Sequence, residues 1–219
     1  EVDTTALARN YYTFRKLLAR PKGLGIKPQV QLMAAVKSNA YGHGLIDFSR
    51  AMVKLGADWL GVDSIVEATA LRRAGIKKDI LVLGYTRPIN FPIARRNGIV
   101  VAVSSIDSLR QLLKMSSPPR FQLKFDTGMH RQGFTEEDFI SALKLFSNLP
   151  VTAKARQQFV GVFSHLAAAS NQKTMNTVTE QIKKFETFLD GLAQAGFPRH
   201  KLLKHLSATG GAIGYLEAR

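Results

Sequence analysis

Lys37 is the residue of this chain best suited to covalent chemistry. It closes the apolar run Gln29 to Val36 and is followed by Ser38-Asn39-Ala40-Tyr41-Gly42-His43-Gly44. An amine at the dry end of a strand is costly to keep charged, and desolvation or a nearby cation favours its neutral form. A neutral lysine condenses with carbonyls and acts as a general base. The alternative is a side chain that snorkels out at a strand end. A second group surrounds Asp126-Thr127-Gly128, with Lys124 before it and Arg131 after it. A guanidinium there could hold an anionic oxygen through two parallel donors, while Asp126 by itself reads as a turn or helix cap. His165 could stack on a flat ring or hydrogen-bond at a rim. Thr209 could offer a hydroxyl and backbone N–H groups to a phosphate, or serve as a plain N-cap.

These groups need elements to carry them, and the chain alternates short apolar runs with helical patterns from end to end. Helices are expected over Thr4 to Arg20 (ended by Pro21-Lys22-Gly23), Leu45 to Leu55, Ser64 to Ala74, Ile89 to Asn97, Ile106 to Met115, Glu136 to Phe146 and Thr179 to Ala195. Another starts at Thr209. Ser105 and Thr135 are the expected caps of two of them. On Thr179 to Ala195, the residues Ile182, Phe185, Leu189 and Leu192 form the expected buried face. Strands are expected near residues 31, 60, 81, 101, 123, 161 and 204, all apolar, as strands covered on both faces are. A polar loop is expected over Ala167 to Asn176.

Seven βα units in sequence predict a (β/α)8 TIM-type barrel, incomplete at its C-terminal end, as one domain over residues 1–219. No GxGxxG follows a strand and no GxxxxGK[ST] occurs, so a dinucleotide or nucleoside-triphosphate fold has no support. In such a barrel the reactive groups stand at the C-terminal ends of strands. Lys37, Asp63, the Lys124–Arg131 segment, His165, Ser207 and Thr209 all fall there.

Composition bounds the partners. The chain has 219 residues, 45% apolar and 21% charged, which is the balance of a folded protein. It contains no cysteine, which excludes a disulfide framework. No apolar stretch reaches the roughly 18 residues of a membrane span, and the first ten residues lack a signal-peptide pattern. Position 1 is not Met, so the expectation is a processed or excised piece. The net charge of +15 raises non-specific adhesion to polyanions at low salt. The cations are scattered (Arg72-Arg73, Lys77-Lys78, Arg95-Arg96, Lys183-Lys184), so no specific nucleic-acid function is expected.

The segment Ala35-Val36-Lys37-Ser38-Asn39-Ala40-Tyr41-Gly42-His43-Gly44 resembles the pyridoxal-phosphate attachment motif of bacterial alanine racemases. Lys124 through Phe134 (Lys-Phe-Asp-Thr-Gly-Met-His-Arg-Gln-Gly-Phe) is similar to their second motif. Gly161 through Ala167 and Ser207 through Gly211 are similar to the third and fourth. The resemblance covers the whole chain in order. It implies pyridoxal 5'-phosphate as cofactor, held in Schiff-base linkage by Lys37, which then serves as the base on the D-face of the α-carbon. It implies that Tyr41 and Thr209 touch the phosphate, that His165 packs on the pyridine ring, and that Arg131 donates to the phenolic oxygen and the substrate carboxylate. It further implies possible carbamylation at Lys124 and no metal.

The implied activity is interconversion of L- and D-alanine by α-proton abstraction, supplying D-alanine for peptidoglycan, in a cytoplasmic homodimer with no membrane partner. The family takes its second base, a Tyr, from a C-terminal β-domain of the partner subunit. Tyr11, Tyr12, Tyr41, Tyr85 and Tyr215 match no such context. The chain ends before the family's eighth strand, so the piece alone is expected to bind the cofactor weakly and not to racemise alanine. Positions 130 and 208, often Gly and Asn in other branches, are His130 and Ala208 here. The alternatives are a broad-specificity, serine or lysine racemase, or a non-catalytic barrel that binds the cofactor.

Overall fold

Apolar segments of three to five residues pair in parallel, and the helices between them cover their outer faces. A computed structural model describes residues 2–18, 30–148, 150, 153–167 and 175–215. The chain clusters into two compact units, residues 1–85 with 97–99, and residues 86–96 with 100–219.

In the first unit, β1 (Met33–Ala35), β2 (Trp59–Val62) and β3 (Asp79–Val82) lie side by side in that order. All four residues of β2 are buried, as the middle strand of a covered sheet must be. Helix α1 (Thr4–Leu18) is tied down by Arg15. Its guanidinium donates to Tyr11 Oη (2.7 Å), the Gly56 carbonyl (2.7 Å) and Asp58 Oδ2 (2.6 Å). The same Asp58 oxygen accepts the Leu32 N–H, so one carboxylate aligns the helix with the approach to β1. Helix α3 (Leu45–Leu55) stops at Gly56, which adopts the left-handed conformation. Helix α4 (Ile65–Arg73) starts at Ser64, whose Oγ accepts the Glu67 N–H.

The second unit opens with a 3-10 turn, Pro88–Asn90, and the short helix α5 (Phe91–Arg96). Its strands β4 (Val100–Val103), β5 (Phe121–Lys124), β6 (Phe159–Phe163) and β7 (Leu203–His205) pair in chain order. Helices α6 (Ile106–Leu113), α7 (Glu136–Ser147), α8 (Lys154–Gln158), α9 (Met175–Gln194) and α10 (Thr209–Gly214) alternate with them. Aromatic rings fill the layer between sheet and helices. Phe125 stacks on Phe188 at 4.4 Å and meets Phe139 edge-on at 5.2 Å, while Phe121, Phe146, Phe159 and Phe197 form a second cluster. The βα repeat runs through both units, and the fold is that of a (β/α)8-type barrel with seven units present.

Most sequence-derived elements stand within two residues of their expected limits, and several features differ, among them β1, which is confined to Met33–Ala35 of the run expected over Gln29 to Val36. Strands β5 and β7 are not wholly apolar. Gln122 and Lys124 are buried on β5, where alternation turns them to the side opposite Phe121 and Leu123. Helix α9 starts at Met175 rather than Thr179, and its buried stripe includes Gln181 where Ile182 was expected. Helix α8 and a 3-10 turn at Arg199–Lys201 stand where no element is expected from the sequence. Thr209 is the first residue of α10, and Ala208 occupies the N-cap without a side-chain bond, so Thr209 is not the cap. The expected stop at Pro21-Lys22-Gly23 and most of the loop after Ala167 lie outside the described residues.

Candidate active site

The first unit carries Lys37 directly after β1, with only Val36 between. Val36 is fully buried, and its N–H donates to the Gly61 carbonyl at 2.7 Å, so the chain leaves the sheet one residue before the lysine. The segment α2 (Lys37–Tyr41) then turns the wrong way for L-residues. Ser38 (φ 53°, ψ 53°), Asn39 (56°, 42°) and Ala40 (53°, 45°) are all left-handed, and Tyr41 follows at φ 55°. Left-handed turns cost roughly 1–2 kcal/mol per residue outside glycine, so neighbours must enforce this one. The Ala40 N–H donates to the Val36 carbonyl (2.8 Å), and the Gly44 N–H to the Asn39 carbonyl (3.0 Å). Asn39 Oδ1 accepts the Leu45 N–H at 2.8 Å, docking the turn on the first residue of α3.

Glu67 supplies the remaining support, and the sequence reading passed over it. One carboxylate oxygen accepts the Asn39 N–H (3.2 Å) and the other the Asp63 N–H (2.8 Å). It thus bridges the lysine turn and the β2–α4 junction. The signal was present as Ser64-x-x-Glu67, the spacing of a capping box. Glu67→Ala is expected to lower stability by about 1–2 kcal/mol, read as a shift of the urea midpoint. It should also speed amide exchange at Asn39 and Asp63. Unchanged exchange at both amides would show that the bridge holds nothing.

Lys37 is half-buried, and no hydrogen bond or ion pair engages its amine among the described residues. Tyr41 is 63% exposed.

The second unit carries the other expected residues. Lys124 ends β5 and is buried, with its ammonium 5.8 Å from the centre of the Phe163 ring. After it the chain makes a closed loop. The Phe134 N–H returns to the Lys124 carbonyl (2.8 Å) and the Asp126 N–H donates to the Phe134 carbonyl (3.0 Å). Asp126 fills the inside of the loop as a turn cap, with Oδ1 accepting the N–H groups of Gly128, Met129 and His130 at 2.9–3.0 Å. Burial alone would push its carboxyl pKa up, but these three donors and the nearby His130 hold it below the usual carboxylate range. Gly133 closes the loop at φ +140°, where a Cβ would lie 2.5 Å from the Asp126 nitrogen. Arg131 stands exposed on this loop.

His165 follows β6, partly exposed, and its carbonyl accepts from Gln181 Nε2 at 3.4 Å. On β7, His205 stacks on Phe163 (4.6 Å, 7° between planes) and its Nε2 meets Gln122 Oε1 at 2.7 Å. Burial pushes the His205 pKa down to about 4, so the ring is neutral at pH 7 and donates from Nε2 to the glutamine oxygen. Thr209 is exposed at the start of α10. There Gly211 lets the turn fold back on itself, since a Cβ would lie 2.8 Å from Ser207 Oγ.

Each expected residue therefore stands at the C-terminal end of a strand, Lys37 and Tyr41 in one unit and Lys124, Arg131, His165 and Thr209 in the other. Among the described residues, no group of three or more His, Cys, Asp or Glu side chains could hold a metal ion. No helix among them is long and apolar enough to cross a membrane.

The chain matches the family described as "Alanine racemase, N-terminal domain" over residues 2–219. An amino-acid racemase of Enterococcus faecalis is 31% identical over 220 residues, covering 99% of this chain and 29% of that protein. An alanine racemase of Fusobacterium nucleatum is 34% identical over 194 residues, covering 88% of this chain and 51% of its own length. Among solved structures, alanine racemase from Corynebacterium glutamicum superposes with a TM-score of 0.84 at 25% identity, over 100% of this chain and 58% of that one. The enzyme from Oenococcus oeni gives 0.77 at 30% identity, over 99% and 58%. The chain spans about half the length of most of the curated relatives it matches. With a family match from residue 2 to the last residue, and the strand-end residues of four motifs each on its own strand, this chain belongs to the alanine racemase N-terminal domain family.

Proposed function

We propose that this chain is the cofactor-binding part of an enzyme that interconverts L- and D-alanine with pyridoxal 5'-phosphate. The observation that carries the reading is Lys37. It is a half-buried residue whose amine has no partner among the described residues, separated from β1 by Val36 alone, at the start of a left-handed turn that a glutamate and an asparagine enforce. Structural strain of this kind persists where the surroundings over-determine it, and it clusters at functional sites.

The donor set fits the cofactor. A primary amine suits its aldehyde, the hydroxyls of Tyr41 and Thr209 suit its phosphate, the His165 ring suits its pyridine face, and the Arg131 guanidinium suits its phenolic oxygen and a substrate carboxylate. When bound, the cofactor supplies an electron sink that stabilises negative charge at the α-carbon of an amino acid. Lys37 would hold the cofactor through its aldehyde carbon and would be the group that takes and returns the α-proton on the D-face. Arg131 would hold the substrate carboxylate. A second base on the opposite face, and hence inversion, comes in this reading from a partner subunit, so the whole enzyme works as a homodimer. Addition of carbon dioxide to the neutral Lys124 amine, with release of a proton, would put a carbamate anion in place of a cation beside Phe163, able to orient Arg131.

The test is deuterium exchange. With pyridoxal phosphate added in D2O, the chain is expected to exchange the α-proton of D-alanine faster than that of L-alanine, because one base on one face suffices for exchange without inversion. Equal, cofactor-independent exchange of both enantiomers would overturn the assignment of Lys37 as the D-face base.

A further inference from the structure

Distant segments of the second unit meet in one buried run of hydrogen bonds. Gln181 of α9 is 1% exposed, Thr127 2% and Ser164 4%. The Ala167 N–H donates to Gln181 Oε1 at 3.0 Å, which fixes the orientation of the amide, since only the oxygen accepts. Gln181 Nε2 therefore faces the other way, where it donates to the His165 carbonyl and to Thr127 Oγ1, each at 3.4 Å. Ser164 Oγ donates its single proton to the Phe125 carbonyl at 2.8 Å. In the 2.8 Å contact between Ser164 Oγ and Thr127 Oγ1, threonine is then the donor. The bonds run in one direction, from Gln181 through Thr127 and Ser164 to the Phe125 carbonyl just past β5, and each strengthens the next. Every side-chain polar atom in the run has a partner, as burial demands.

The run holds the two loops that carry candidate cofactor ligands. Thr127 sits inside the closed loop that bears Arg131, and Ser164 and Ala167 flank His165, whose own carbonyl is also held. Gly128, at φ +133°, backs directly on the Gln181 side chain. A buried glutamine in the apolar stripe of Val178, Phe185, Phe188 and Leu192 has no packing advantage over leucine. Its hydrogen bonds are what it adds.

We propose that Gln181 is a positioning residue, a buried amide that clasps the Arg131 loop to the His165 segment so that both present a fixed geometry to the cofactor. This inference rests on the reading of Arg131 and His165 as cofactor ligands. Gln181→Met keeps length and apolar volume and removes the bonds. It is expected to speed amide exchange at Ala167 and residues 128–130 of the cofactor-free chain by about tenfold or more, with the rest of α9 unchanged. It is also expected to weaken pyridoxal phosphate binding about tenfold, while the fraction of Lys37 modified at saturation stays at the wild-type level. Gln181→Glu separates positioning from packing. A protonated carboxyl has both a donor and an acceptor, and burial raises its pKa. That variant should therefore match wild type at acid pH and fall to the Gln181→Met level as it ionises.

Wild-type exchange at Ala167 and residues 128–130 in Gln181→Met, or unchanged cofactor affinity there, overturns the proposal. So does a Gln181→Glu variant without pH dependence. If Gln181→Met does not fold, Thr127→Val, which removes one hydroxyl, is expected to raise exchange at residues 128–130, and its failure to do so counts equally against the clasp. A wild-type chain that takes up no cofactor at Lys37 would refute the proposed function, while the exchange measurements would still decide whether the clasp exists.

Discussion

Replacing Lys37 with alanine is expected to abolish specific covalent capture of pyridoxal phosphate. Borohydride reduction followed by peptide mass analysis would read the result, with one adduct per wild-type chain on the peptide holding Lys37. The chain carries 16 lysines, so an aldehyde in excess also labels surface amines weakly. The distinction lies in saturation, since a built site fills at one equivalent and surface labelling rises in proportion to reagent. Lys37→Arg should lose capture as fully as Lys37→Ala, because guanidinium keeps the charge but does not condense with an aldehyde at neutral pH.

The local fold should survive both changes. The bonds that hold the left-handed turn come from the backbone of Val36, Asn39, Ala40 and Gly44 and from the Asn39 and Glu67 side chains, not from the lysine amine. A melting curve within about 0.5 kcal/mol of wild type is the accompanying expectation. Stoichiometric capture by a folded Lys37→Ala chain would remove the basis of the proposed function.

Acid should destabilise the second unit through His205. In the unfolded chain this ring protonates near the ordinary histidine value of about 6.5, whereas in the fold burial pushes the pKa down to about 4. Between those values the unfolded chain binds one more proton than the folded chain. Stability is therefore whole above about pH 6.5 and falls as pH drops toward 4. The loss is at most about 3 kcal/mol, at 1.36 kcal/mol per pKa unit, and the residual exposure of His205 makes that a ceiling. Charging the ring would place a cation against Phe163 and the buried Gln122, in the same inner layer as the Lys124 ammonium. His205→Gln keeps a donor for Gln122 without titrating. Its urea midpoint should be flat from pH 6.5 to 4.5, where the wild-type midpoint declines. Asp126 also loses its favourable bonds on protonation, but only below the usual carboxylate range, so the two acid limbs separate. Parallel decline in both proteins would place the acid sensitivity elsewhere.

Much of this was legible along the chain. Leu45–Leu55, Ile65–Arg73 and Glu136–Ser147 were readable because their apolar positions repeat at helical spacing and Gly56, Gly75 and Thr135 punctuate them. Strands β2 and β6 were readable as short apolar runs between such helices. Lys37, Arg131, His165 and Thr209 are legible as candidates because they follow strands, and a βα barrel opens at that end.

Other features had no local signal. Left-handed Ser38-Asn39-Ala40 is a conformation that no intrinsic preference selects, and Glu67 and Leu45, 28 and six residues away from Asn39, hold it in place. The buried Gln122–His205 pair spans 83 residues and the Gln181–Thr127 bond spans 54. A glutamine reads as polar surface until its partners are known.

Taken alone, the order of residues was enough for the alternating elements, their caps, the barrel class and the strand-end positions of the candidate ligands, because hydrophobic periodicity and turn chemistry act over a few neighbours. Only the tertiary structure decided which way the lysine turn winds, which polar side chains go inside, and which loops are tied to which. Those outcomes depend on matching donors to acceptors across long sequence separations, where desolvation makes an unpaired group too costly to keep.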